Sequence, residues 1–227
     1  GLPQTELLYK PSGKVRIAAR LRANGTHAMK DGTITLRRDR ATGAQSFARD
    51  WRADKAAIAR ELRAAADAAR AGSGSTMPSV TVAHRMDATR TFVHEVFHGH
   101  GPMGLRAYQG HGVFTEEMIT EWSARAFMRE RYGVPRALWD RTTDRHVAVG
   151  GYRGWGVKLV DAVAAEGRMT REAAMEAIER ASLQYKALPR GSIHNGDQAV
   201  DKLAELLPGD VEVYKVKLRA ISRSRPP

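Results

Sequence analysis

The 227-residue chain contains no cysteine. Disulfides and thiolate metal sites are therefore excluded, and the absence suits an exported chain as well as a cytosolic one. No apolar run approaches the roughly eighteen residues of a membrane-spanning helix, so no span is expected. No signal peptide is visible, and the chain opens on Gly1 rather than Met, which reads as a trimmed start. Localisation stays open between the cytoplasm and a secreted or delivered effector. No internal repeat is present. Aromatic residues do not interleave with basic ones as they do on a single-strand nucleic-acid platform. The glycine cluster at 146–156 lacks the Lys-Ser/Thr ending of a phosphate loop.

What is present describes a folded protein. Hydrophobic residues make up 42% and charged residues 27%, a globular balance. The net charge of +12 favours acidic partners, nucleic acid and anionic surfaces among them. An arginine-rich composition accounts for the same charge, so nucleic acid is admitted as a partner but not favoured. Arg37, Arg38 and Arg40 form a short basic cluster that reads as a solvated face. The oligomeric state is not legible.

The chemistry concentrates in Thr91-Phe92-Val93-His94-Glu95-Val96-Phe97-His98. If this run is helical, His94 and His98 share one face and can both reach one tetrahedral metal, for which Zn²⁺ is the usual ion. Glu95 is turned about 100° from His94, beside the metal rather than on it, where a general base belongs. Phe92, Val93, Val96 and Phe97 provide an apolar face to bury. A catalytic zinc needs a third protein ligand and an open position. Eighteen residues lie between His98 and Glu117, and Glu121 follows Glu117 one helical turn later on the same face. One of these carboxylates can bind metal while the other orients a ligand histidine. Glu116 and Glu121 compete with Glu117 for the ligand role through helix phase. His111, in Gly110-His111-Gly112, is the alternative third ligand. His100 lies on a different helix face from His98, and Gly104 stands where the longer metzincin pattern would need its third histidine.

His94-Glu95-x-x-His98, Glu117 and Glu121 together resemble the gluzincin zinc peptidases, over about residues 87 to 131. The resemblance implies Zn²⁺ held by His94, His98 and Glu117, with Glu95 as general base in peptide-bond hydrolysis and Glu121 buttressing a histidine. It also implies a protein or peptide substrate. The run Glu116-Glu117-Met118-Ile119-Thr120-Glu121-Trp122 is similar, more loosely, to metallopeptidase domains of bacterial polymorphic toxins. The exopeptidase loop Gly-Ala-Met-Glu-Asn of the zinc aminopeptidases is absent, so the expected activity is that of an endopeptidase. Gly110-His111-Gly112 resembles the SprT-like proteases, which act on DNA-attached proteins and would use His111 as ligand. A non-enzymatic protein with a structural metal site is the remaining alternative.

The expected fold is α+β and zincin-like, forming a single metallopeptidase-like domain. Residues 1–112 would make a β-rich lobe carrying the metal helix, 113–221 a mostly helical lobe, and 222–227 a disordered basic tail. Strands are expected at Val15–Ile17, Thr33–Leu36, Val80–Ala83 and Val211–Leu218. Asn24-Gly25 and Asp31-Gly32 read as turns. Helices are expected over 47–71, from Asp87 as N-cap through the motif, over 115–132, and at 157–166, 171–186 and 197–207. Gly99 to Gly112 should be a loop gating access. An exposed strand edge near Thr33–Leu36 or Val80–Ala83 would pair with extended substrate. The developing oxyanion needs a donor, for which Tyr152 is the first candidate and His146 the second. Tyr185 and His194 are further cleft candidates.

Overall fold

The computed structural model of the chain describes residues 14–19, 21, 25–28, 30–70, 80–136 and 153–224. The fold is α+β and helix-rich, with eight helices and one three-stranded sheet among the described residues. None of these helices is long and apolar enough to cross a membrane. The chain divides into two compact units, Gly1–Gly99 with Ala124–His146, and His100–Ser123 with Val147–Pro227. The dividing line at 123/124 falls inside one unbroken helix, His111–Tyr132.

The first unit starts with β1 (Val15–Ala18), β2 (Gly25–Ala28) and β3 (Thr33–Arg37). β3 is central: it pairs parallel to β1, with Val15 opposite Ile34, and antiparallel to β2, with His27 opposite Ile34. Alternation puts Ile34 and Leu36 on one buried face, against Ala41, Val96 and Phe92. The strand expected at Thr33–Leu36 is therefore present, but both its edges are taken. Asp31 accepts the Thr33 N–H at 2.9 Å, which closes the turn before β3.

Helix α1 (Arg38–Ala53) follows β3 without a break, and α2 (Lys55–Arg70) follows after one residue. The single helix expected over 47–71 is thus two. Asp54 leaves helical geometry (φ −148°, ψ 81°) and its carboxylate accepts the Ala57 N–H at 2.8 Å, which caps α2. Helix α3 (Val80–His98) overturns another expectation, since Val80–Ala83 is its first turn and not a strand. Val82, Met86, Val93, Val96 and Phe97 are buried at helical spacing, so packing along α1 overrides the short alternation. Asp87 is consequently mid-helix and not an N-cap. Aromatic rings complete this unit: Tyr132 meets Phe47, Trp51 and Phe127 edge-on, and Phe127 meets Phe97.

The second unit holds a short 3₁₀ turn (Leu105–Ala107) and the first half of α4 (His111–Tyr132). It also contains α5 (Arg153–Glu166), α6 (Arg171–Lys186), α7 (Gly196–Leu206) and α8 (Val211–Arg223). The loop expected over Gly99 to Gly112 is mostly irregular, but α4 starts within it, at His111. Gly133, at φ +64°, ends α4 in the left-handed conformation, its N–H returning to the Arg129 carbonyl. The helices expected at 157–166, 171–186 and 197–207 are α5, α6 and α7. Thr170 caps α6 through the Ala173 N–H. Asn195 caps α7 through the Gln198 N–H, while Gln198 accepts the His194 N–H in return.

Val211–Leu218 is helical, contrary to the strand expected there. Tyr214, Leu218 and Ile221 are buried at intervals of four and three, whereas Val216 is 71% exposed. Asp210 caps this helix by accepting the Glu212 and Val213 N–H groups. Tyr185 is a core residue and His194 is exposed. Of the tail, Ser222 and Arg223 close α8, and 225–227 lie outside the described residues.

In the basic cluster read as a solvated face, Arg38 is exposed and the Arg37–Asp39 pair lies at the surface, whereas Arg40 is drawn inward. Arg37 chelates Asp39. Arg40 pairs with Asp87, whose Oδ1 also accepts from Arg90 at 2.9 and 3.0 Å. Burial pushes the Asp87 pKa up, but the Arg90 and Arg40 charges outweigh it, so the pKa lies below the ordinary carboxylate value. A depressed carboxylate stabilises the fold at pH values above its unfolded pKa, and that contribution disappears as pH falls through the folded one. Asp87→Asn should cost about 2 kcal/mol at neutral pH, or about 4–8 °C in Tm. The gap between variant and parent should close below about pH 4, as thermal melts across pH would record.

Candidate metal centre

The motif rides on the last two turns of α3. Val93, Val96 and Phe97 are each at most 1% exposed, and this burial fixes the roll of the helix. Fully burying each such side chain contributes about 1.5–3 kcal/mol. With those positions inward, His94 and His98 fall on one face, their Nε2 atoms 3.1 Å apart and their rings at 81°. Two imidazole nitrogens sharing one tetrahedral Zn²⁺ lie about 3.3 Å apart, so the pair has the spacing the ion requires. Glu117 joins them from α4, and one ligand atom from each of the three lies within 4.8 Å of the others. His94 and Glu117 are buried and His98 is partly exposed. This group could hold a metal ion. Two imidazoles and one carboxylate are a donor set that suits Zn²⁺.

The neighbours of the three are as specific. Glu95 is 7% exposed and sits against Gly25 of β2. A Cβ on Gly25 would lie 2.8 Å from both Cγ and Oε1 of Glu95, so a larger residue there would displace the carboxylate. His27, two residues along β2, stacks on His98 with ring centroids 6.2 Å apart. Tyr108 donates its hydroxyl proton to Glu117 Oε1. Glu121 is buried one turn beyond Glu117. Glu116, the competitor for the ligand role, is committed elsewhere, since its Oε1 accepts from Lys186 Nζ at 2.5 Å. Burial draws the Lys186 pKa down against the opposing pull of Glu116 and Glu117. Burial and the Glu116 charge push the Tyr185 phenol up.

Among the described residues, His111 and His100 are not members of this group. His111 opens α4, with Nδ1 at the hydroxyl of Ser222. His100 contributes its backbone carbonyl to Lys186, 3.2 Å away. Tyr152 and His146 lie outside the described residues. Gly25, Tyr108 and Lys186 escaped the sequence reading for physical reasons. Gly25 looked like part of a turn, yet it starts β2. Tyr108 lies in an irregular loop without periodicity. Lys186 ends a helix, where a solvated cation is the ordinary expectation.

Comparison with protein-family models, curated proteins and solved structures finds no match for this chain. The case for a metal centre therefore stands on the geometry of His94, His98 and Glu117.

A carboxylate ligand held by a phenol loses orientation when the hydroxyl is removed. Tyr108→Phe should weaken Zn²⁺ binding about tenfold or more, measured by competition with a chromophoric chelator, while the circular dichroism of the variant matches the parent.

Proposed function

We propose that the protein is a zinc-dependent endopeptidase with a zincin-like centre, in which His94, His98 and Glu117 hold the ion. One observation carries the reading: the two Nε2 atoms, 3.1 Å apart, converge with a carboxylate from a second helix. Among the described residues the group comprises three side chains, which suits a catalytic site with an open position better than a closed structural one.

A bound Zn²⁺ would supply Lewis acidity toward water and toward the peptide carbonyl. Glu95 takes the proton of the attacking water and returns it to the leaving amine. Its place against Gly25 supports that role, because a base must be held in one position to act repeatedly on the same proton. Glu121 orients a ligand histidine, and Tyr152 is the proposed donor to the developing oxyanion.

Substrate pairing moves from the strands first considered to β2. β3 is central and Val80–Ala83 is helical, whereas β2 pairs with β3 along one side only within the sheet. An extended peptide added along the other side of β2 would run past Gly25 and so past Glu95.

The first test is metal content, for which about one zinc per chain is expected. Glu95→Gln should retain that zinc and lose peptide hydrolysis by a factor on the order of 10² or more. Gly25→Ala should do the same by displacing Glu95. Full turnover in Glu95→Gln would remove the general-base assignment, and a chain that takes up no zinc would remove the peptidase reading.

A further inference from the structure

Lys186 is the last residue of α6, and its side chain is 0% exposed, facing a Glu116 that is 3% exposed. Its Nζ donates to Glu116 Oε1 at 2.5 Å and to the His100 carbonyl at 3.2 Å. Thr120 Oγ1 donates to the same Glu116 oxygen at 3.2 Å. Gly101, at φ +110°, lies flat on the Lys186 stem, where a Cβ would come within 3.0 Å of Cδ. The chain immediately after the motif is thus moulded around this one lysine.

Stability alone does not account for such a pair. Two charges taken out of water regain little more than their desolvation cost, and apolar residues of equal volume would serve at least as well. The positions of its partners do account for it. The ammonium grips the carbonyl two residues after His98 and the carboxylate one residue before Glu117. Glu116 and Glu117 are adjacent and both buried, at 2% and 5%. They are neighbours on one helix, about 100° apart, and both lie close enough to Lys186 to act on its ammonium.

We propose that Lys186 is a positioning residue of the metal centre: by occupying Glu116 and anchoring the His100 carbonyl, it reserves Glu117 as the ligand. The inference rests on the reading that His94, His98 and Glu117 bind a metal. Without the ammonium, Glu116 is a buried carboxylate lacking its cation, and a divalent ion is the nearest substitute.

The test uses full-length protein loaded with Co²⁺, whose visible spectrum reports coordination geometry, together with zinc affinity by chelator competition. Lys186→Met should alter the cobalt spectrum and change zinc affinity about tenfold or more. Glu116→Gln with Lys186→Met should return the parent spectrum, because the competing carboxylate is gone. Glu116→Gln alone should leave the spectrum unchanged. If Lys186→Met does not fold, Lys186→Gln keeps a donor for the His100 carbonyl while removing the charge, and the same spectral change is expected. Lysine variants that lose only thermal stability, with parent spectrum and affinity, would overturn the proposal and leave the metal reading standing. A parent protein that takes up neither cobalt nor zinc would overturn both.

Discussion

Helix α3 has to satisfy two demands within nineteen residues. One stripe of it must be buried, and another must keep two imidazoles and a carboxylate together with little access to water. Burying polar groups is costly unless each finds a partner. The structure meets that cost locally: the imidazoles face each other, Glu95 fits the space left by a glycine, and Glu117 receives a phenol hydroxyl. Elsewhere α3 is held by charge. Arg40 and Arg90 flank Asp87, and Arg85 pairs with Asp50 of α1, so its length along α1 is pinned by ion pairs as well as by apolar contact.

The same economy shapes α4. Glu116, Glu117 and Glu121 lie within two turns of one helix, and each is at most 9% exposed. Three neighbouring buried carboxylates would repel one another and rob the helix of stability unless their charges were answered. Lys186 answers one of them outright. A divalent ion at His94, His98 and Glu117 would answer another, so metal binding and the integrity of α4 are linked in the proposed protein.

The sheet takes on a different importance once its order is known. β3 supplies Ile34 and Leu36 to the core and is the structural strand, while β2 supplies Gly25 and His27 to the surroundings of the motif. Strand β2 is only four residues long and offers no apolar alternation of its own. Its place is set by antiparallel pairing with β3 and by contact with α3, both of them long-range effects. That is why the turn signal at Asn24-Gly25 concealed a strand beside the candidate site.

Local sequence was enough to determine what depends on neighbours three or four residues away. The His94–His98 spacing, the apolar face behind it, the phase of Glu117 and Glu121, and helices α5 to α7 with their Thr170 and Asn195 caps belong to this class. Period and capping chemistry act within one or two turns, so they are written in the order of the residues. Tertiary structure decided the rest. Val80–Ala83 and Val211–Leu218 are ambiguous in period, and the burial of Val82 and Tyr214 with the exposure of Val216 made both helical. That Glu116 is the glutamate engaged by Lys186, seventy residues away, was decided by the tertiary fold. The seat of Glu95 was decided by a glycine in another element. Such choices depend on groups brought together only by folding, where excluded volume and the cost of burying charge select among arrangements that local pattern leaves equivalent.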